Sequence, residues 1–223
     1  MKTLRRQHGA FTLVELLVVV GILALLVSIL LPSLSAAKER AKVVKVHAEL
    51  RGIGLALEMY AGDGEQGLPP VRVSCNPDMD GHEWQLPIEL SNEGYLPSGP
   101  DLQRMVGVED PFNPGHTYKY NAPGDQVLNG SLIKNGNYIW VPDLFPADDG
   151  EGDINATDDG KWYNNPADSP VRWVLWSQGP EPTCQKSSTK RRPISRQTWY
   201  KNIGDNGVIC RILSSTEEIV SSP

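Results

Sequence analysis

The sequence predicts an α+β chain in which one long N-terminal helix packs on a small antiparallel β-sheet with long loops. Three observations carry that expectation. An apolar run extends from Phe11 to Leu31, a helix-periodic pattern continues it to about residue 62, and the remainder alternates short β-forming runs with turn residues. Among 223 residues, 18 Pro and 21 Gly indicate a loop-rich body with little helix beyond the N-terminus.

Residues 1–10 form a short leader carrying Lys2, Arg5 and Arg6. The run 11–31 follows, and as a helix it measures roughly 31 Å, the thickness of a bilayer's hydrocarbon core. One carboxylate, Glu15, interrupts it near its start. The basic leader holds the N-terminus on the cytoplasmic side, so the rest of the chain is translocated outward. A secretory signal peptide has a shorter apolar region, but "SAAK" at 35–38 offers a cut after Ala37. A secreted binding protein is therefore one alternative.

Pro32 ends the apolar run without ending the helical pattern. Leu34, Ala37, Ala41, Val44, Ala48 and Leu55 recur at spacings of three, four or seven, and Leu57, Met59 and Tyr60 widen that stripe. Lys38, Arg40, Lys42, Lys45 and Arg51 fall mostly off it. The stripe is expected to lie under the sheet. Gly62-Asp63-Gly64 and the following "LPP" stop the helix, which makes residues 32–62 its amphipathic continuation and 63–223 the β-rich body. At the junction, Pro32 removes a backbone donor and is expected to kink or soften the helix.

Strands are expected at "TYKYN" (117–121), "NYIWVP" (137–142), "VRWVLWS" (171–177) and "GVICRIL" (207–213), with 202–212 as a closing hairpin. Trp173 and Trp176 fall on opposite faces of their strand, so both faces meet apolar neighbours.

The leader, "AFTLVELLVVV" and a long apolar helix with a proline together resemble the N-terminus of type IV pilins and pseudopilins. The resemblance implies cleavage between Ala10 and Phe11 by a prepilin peptidase, then N-methylation of Phe11. It implies assembly roles for Glu15 and Pro32, with Glu15 receiving the Phe11 amine of a neighbouring subunit. The family usually has Gly directly before the Phe; here Gly9 is followed by Ala10, and a cut after Gly9 is the alternative. A buried carboxylate costs a few kcal/mol in hydrocarbon unless it finds such a partner. Without one, Glu15 is a side chain snorkelling to the interface.

In the body, "EGYLP" (93–97), "EDPFNPGHTYKYNAPG" (109–124) and "VRWVLWSQGPEP" (171–182) resemble segments of the major pseudopilin of type II secretion. The implied protein is a structural subunit with a pilin-like fold, anchored in the bacterial inner membrane with its body in the periplasm. Its implied partners are further copies and other pseudopilins, the prepilin peptidase, an inner-membrane assembly platform and membrane lipid. A type IV pilin or minor pilin-like protein, serving adhesion, motility or DNA uptake, is the alternative within the same fold.

The acidic segment 148–159 holds Asp149, Glu151, Asp153, Asp158 and Asp159, an oxygen-rich set that suits Ca²⁺. It resembles the acidic segment near the calcium loop of major pseudopilins, but here it precedes the "GPEP" turn whereas there it follows the corresponding turn. A solvated acidic loop is the competing reading. Cys184 and Cys210 lie on the translocated side, where disulfides form. Their pairing would match the C-terminal disulfide loop of many type IV pilins and contribute roughly 3 kcal/mol; Cys75 would be left over.

Without the three leader cations, 18 basic residues face 27 acidic ones, which disfavours a nucleic-acid partner. No GxSxG, HExxH or phosphate-loop motif occurs, and the four His are scattered, so no enzyme is expected.

Overall fold

The computed structural model describes residues 12–63, 67–73, 84–100, 104–147, 160–180 and 193–223. The leader, Phe11 and the whole of 148–159 lie outside them. Helix α1 spans Leu13–Asp63 in one run with Pro32 inside it. The chain divides into two compact units at Arg40/Ala41. In the first unit, the described residues are α1 and the Thr12 that precedes it.

The second unit holds the rest of α1 and the body. Its strands are β1 (Val71–Val73), β2 (Lys119–Asn121), β3 (Gly124–Leu128), β4 (Ser131–Asn137), β5 (Ile139–Pro142), β6 (Gly160–Tyr163), β7 (Val171–Ser177), β8 (Ile209–Ser214) and β9 (Ile219–Ser221), with a one-turn helix α2 at Glu89–Asn92. Among the described residues they form an antiparallel sheet in the order β2-β7-β8-β9, a three-stranded sheet β1-β3-β4 and a β5–β6 ribbon. The β1–β3 pair is parallel, which departs from a purely antiparallel expectation.

β7 occupies the predicted 171–177, and its β-branched and aromatic run is buried almost throughout. Trp173 belongs to the core shared with α1, whereas Trp176 belongs to the core on the other face with Ile139, Val141 and Ile212. The two-faced reading of this strand is correct. β2, β5 and β8 lie within or against the predicted runs. The closing hairpin does not: β8 pairs with β9 through a turn near Ser215–Glu217, and the 202–205 turn only brings Trp199 into a single bridge with Val208. The β3–β4 hairpin was not anticipated. Asn129-Gly130 turns it, both at positive φ (48° and 85°), as a two-residue turn matching strand twist requires.

The α1 face under the sheet also differs from the expected stripe. Val46, Leu50, Ile53, Leu57 and Tyr60 are buried, packing with Leu86, Tyr118, Tyr120 and Trp173. Val44 and Leu55 are instead 69% and 60% exposed, and Ala41 and Ala48 are exposed with them. This half of the helix is apolar on two faces, and the core took the one with the larger side chains, which removes more apolar area from water. Gly54 lets Trp173 approach: a Cβ there would sit 2.9 Å from the indole edge. Glu58 fixes the same ring by accepting from its Nε1 at 2.7 Å, and pairs with Arg172 at 3.1 Å.

Candidate functional site

The functional segment is the start of α1. Every described residue from Thr12 to Ser35 is exposed, with Leu13 at 77% and Leu25 at 63%. The mean hydropathy of its most apolar window is 3.0, and none of that window is buried. By length and composition this helix can cross a membrane. Two of its serine hydroxyls bond locally: Ser28 Oγ donates to the Leu25 carbonyl at 2.7 Å and Ser33 Oγ to that of Leu30 at 3.0 Å. Pro32 supplies no N–H to the carbonyl one turn earlier, so its place in the helix costs one ladder bond.

Glu15 has a local role that the sequence reading missed. Thr12 and Glu15 form a reciprocal cap. The Glu15 N–H donates to Thr12 Oγ1 at 3.2 Å, and Glu15 Oε2 accepts from Thr12 N at 2.9 Å and from Thr12 Oγ1 at 2.8 Å. The signal was present in "TLVE", a Thr-x-x-Glu spacing at a helix start. All three bonds to Glu15's carboxylate and amide come from one residue. The two that reach the carboxylate both engage Oε2, so Oε1 still offers an acceptor to a cation. Ala10 and Phe11 lie outside the described residues.

The other expected sites stand as follows. The acidic set Asp149, Glu151, Asp153, Asp158 and Asp159 lies outside the described residues, as do Cys75 and Cys184. Among the described residues no group of three or more His, Cys, Asp or Glu could hold a metal. Cys210 is fully buried in β8, and burial pushes its thiol well above the ordinary range, which makes it a poor nucleophile.

The segment "EDPFNPGHTYKYN" serves the fold through Asp110. Its Oδ1 accepts from the Phe112 N–H at 2.9 Å and from Ser177 Oγ at 2.8 Å, and its Oδ2 accepts from the Gln178 N–H at 3.2 Å. One buried carboxylate thus ties the turn before β2 to the end of β7. Burial raises its pKa, and these three hydrogen bonds offset only part of that rise.

The prokaryotic N-terminal methylation motif matches residues 5–31. The type II secretion system core protein G of Pseudomonas aeruginosa is 32% identical over 54% of this chain and 78% of its own length. Its namesake from Vibrio cholerae is 34% identical over 56% and 78%, and that from Aeromonas hydrophila 41% over 54% and 76%. No solved structure matches the chain.

Proposed function

The chain belongs to the type II secretion system core protein G family, and from that premise we propose how its residues serve a pseudopilus, the short fibre that supports protein export. The observation that carries the reading is the apolar first half of α1, exposed along its described length with none of its apolar side chains buried, and with one carboxylate at its start. A water-soluble subunit has no use for such a surface, whereas a subunit that waits in the inner membrane and then polymerises needs it in both states.

In this reading the prepilin peptidase cuts between Ala10 and Phe11, and Phe11 is N-methylated. The Lys2, Arg5 and Arg6 leader keeps the cut on the cytoplasmic side, leaving the β-rich body in the periplasm. Glu15 holds two roles in turn. Alone in lipid, its charge is softened by the Thr12 cap; in the fibre, Oε1 receives the Phe11 amine of a neighbour. The amine then relieves a cost that the single subunit bears, which favours assembly and sets register. Pro32 gives the helix a weak point between its lipid-facing and body-facing parts. The assembly platform, other pseudopilins and membrane lipid complete the set of partners. A calcium site at Asp149, Glu151, Asp153, Asp158 and Asp159, and a Cys184–Cys210 bridge, are proposed on sequence alone.

The test is export itself. Deleting the gene from its own bacterium should leave the exported proteins in the periplasm, and the unmodified gene should restore them. Glu15→Ala should insert in the membrane yet fail to restore export. Undiminished export from the deletion strain would overturn the secretion reading; full rescue by Glu15→Ala would remove the pairing role alone.

A further inference from the structure

A groove runs between α1 and the last strand of the body. In the β8–β9 pair, the Ser222 N–H donates to the Cys210 carbonyl at 3.1 Å and the Ser214 N–H to that of Glu218 at 2.9 Å. Antiparallel strands alternate bonded and non-bonded pairs, so Ile219 and Ser221 turn their N–H and C=O groups away from β8. β9 ends its sheet, and among the described residues no strand pairs with that outer edge. The side chains of Ile219 and Ser221 stand opposite Leu213 and Arg211, on the sheet face that α1 covers. His47 Nε2 lies 3.2 Å from the Pro223 oxygen, which ties the chain after β9 to the helix.

Between helix and strand lies a cleft of about 280 Å³, floored by Trp173 and Leu213 and flanked by Leu55 and Ile219. Ligand sites run from about 300 to 1,000 Å³, so this one admits a short stretch of chain and not a folded surface. Charge divides it. At one end stand Arg51 and Arg211, close enough that Arg51, after burial, helps to lower the Arg211 pKa. Arg211 Nε lies 3.6 Å from where a Gly54 Cβ would be, against the helix backbone. Among the described residues neither guanidinium forms an ion pair. At the other end are Glu58, already held by Arg172 and Trp173, and Glu217 in the β8–β9 turn. Arg51 and Glu58 are about 10 Å apart along the axis of α1. In an extended chain, side chains on one face are about 7 Å or 13 Å apart, two or four residues.

We propose that the groove between α1 and β9 binds an extended segment of another protein, added as a strand to the edge of β9. Its carboxylate sits on Arg51 and Arg211, an apolar side chain enters between Leu55 and Ile219, and a cation two or four residues away faces Glu217. Main-chain bonds to Ile219 and Ser221 supply affinity, and the order of charges fixes register and direction. Two guanidiniums side by side repel, so a carboxylate between them relieves that repulsion and gains charge-assisted hydrogen bonds. The whole groove lies in the body, so the inference stands apart from fibre assembly.

The experiment uses the full chain in lipid nanodiscs and a display library of random octapeptides. Selection should enrich peptides with Asp or Glu two or four residues from Lys or Arg. Bound peptide should slow amide exchange at Ile219 and Ser221. Arg51→Ala and Arg211→Ala should each weaken the selected peptides about tenfold. Arg51 is exposed, so its truncation leaves the fold intact even where that of Arg211 does not. Glu217→Lys should remove the preference for a cation and keep that for the acid. No enrichment, binding indifferent to both arginines, or exchange slowed only elsewhere would overturn the proposal. With p-benzoylphenylalanine in place of Ile219, irradiation in the bacterium's own membranes should cross-link a protein other than this chain, at a segment with the selected pattern. An adduct only between two copies, or only to lipid, would overturn it as well.

Discussion

The two halves of α1 share a backbone and treat apolar side chains in opposite ways. From Leu13 to Leu31 the leucines, valines and isoleucines are all about half exposed or more, and none is buried. From Val46 to Tyr60 the same residue types alternate between a buried face and a bare one. The glycines repeat the contrast. Gly21 has nothing within 4 Å of a would-be Cβ, whereas Gly54 has the Trp173 ring at 2.9 Å. Local propensity makes helix in both halves; what surrounds it decides whether a residue there is a stability determinant.

Truncation gives the largest contrast. A chain that starts at Ala41 should fold, because every buried residue of α1 lies beyond that point. A chain that starts at Asp63 loses Val46, Leu50, Ile53, Leu57 and Tyr60 from the core and should not fold. Dispersed amide resonances distinguish the two, and a folded Asp63 version would break the comparison.

Point substitutions sharpen it. Leu50→Ala should destabilise the body by about 2–5 kcal/mol, since Leu50 is fully buried. Leu23→Ala, in the exposed half, should leave the unfolding midpoint of the body in detergent unchanged. At the glycines, Gly54→Ala should cost about 1–3 kcal/mol through overpacking against Trp173. Gly21→Ala should cost the body nothing. Equal losses at both glycines would mean that the helix, not its surroundings, sets the cost.

How far the sequence reveals this protein follows the same division. The span, its lone carboxylate and strand β7 were legible, because an unbroken apolar run and a dense β-branched and aromatic run each have one physical reading. The face of α1 that meets the sheet was not, because both of its faces are apolar and periodicity cannot rank them. Only the partners Trp173 and Tyr118, distant in sequence, choose between Leu50 and Leu55. The β3–β4 hairpin was legible in Asn129-Gly130, but "SLIKNGN" has a single β-branched residue, Ile133, and is mostly exposed, so its strand signal is weak. At the functional segment, the basic leader and "FTLVE" were enough to place the cleavage and methylation expectation. The cap that Thr12 gives Glu15 was legible in the Thr-x-x-Glu spacing at the helix start.

The smallest expected effect concerns pH, and it belongs to the body alone. Burial holds the Asp110 carboxyl above its ordinary pKa, so the folded state keeps that proton to higher pH than the unfolded chain does. The native state then binds more protons in that window, and stability falls as pH rises through it. Asp110→Asn does not titrate. Its stability relative to the unmodified body should therefore grow as pH rises from the ordinary Asp range through the raised one. Thermal midpoints across that range check the sign, and a relative loss with rising pH would reverse it.

The central claim is that the exposed half of α1 begins, after processing, at Phe11 and is made for lipid and then for neighbours. Intact-mass and N-terminal fragment analysis of the protein from its own membranes tests this most directly. The account predicts a chain that starts at Phe11 and carries one added methyl group on its amine. A chain that starts at Met1, Ala10 or Lys38 would contradict it.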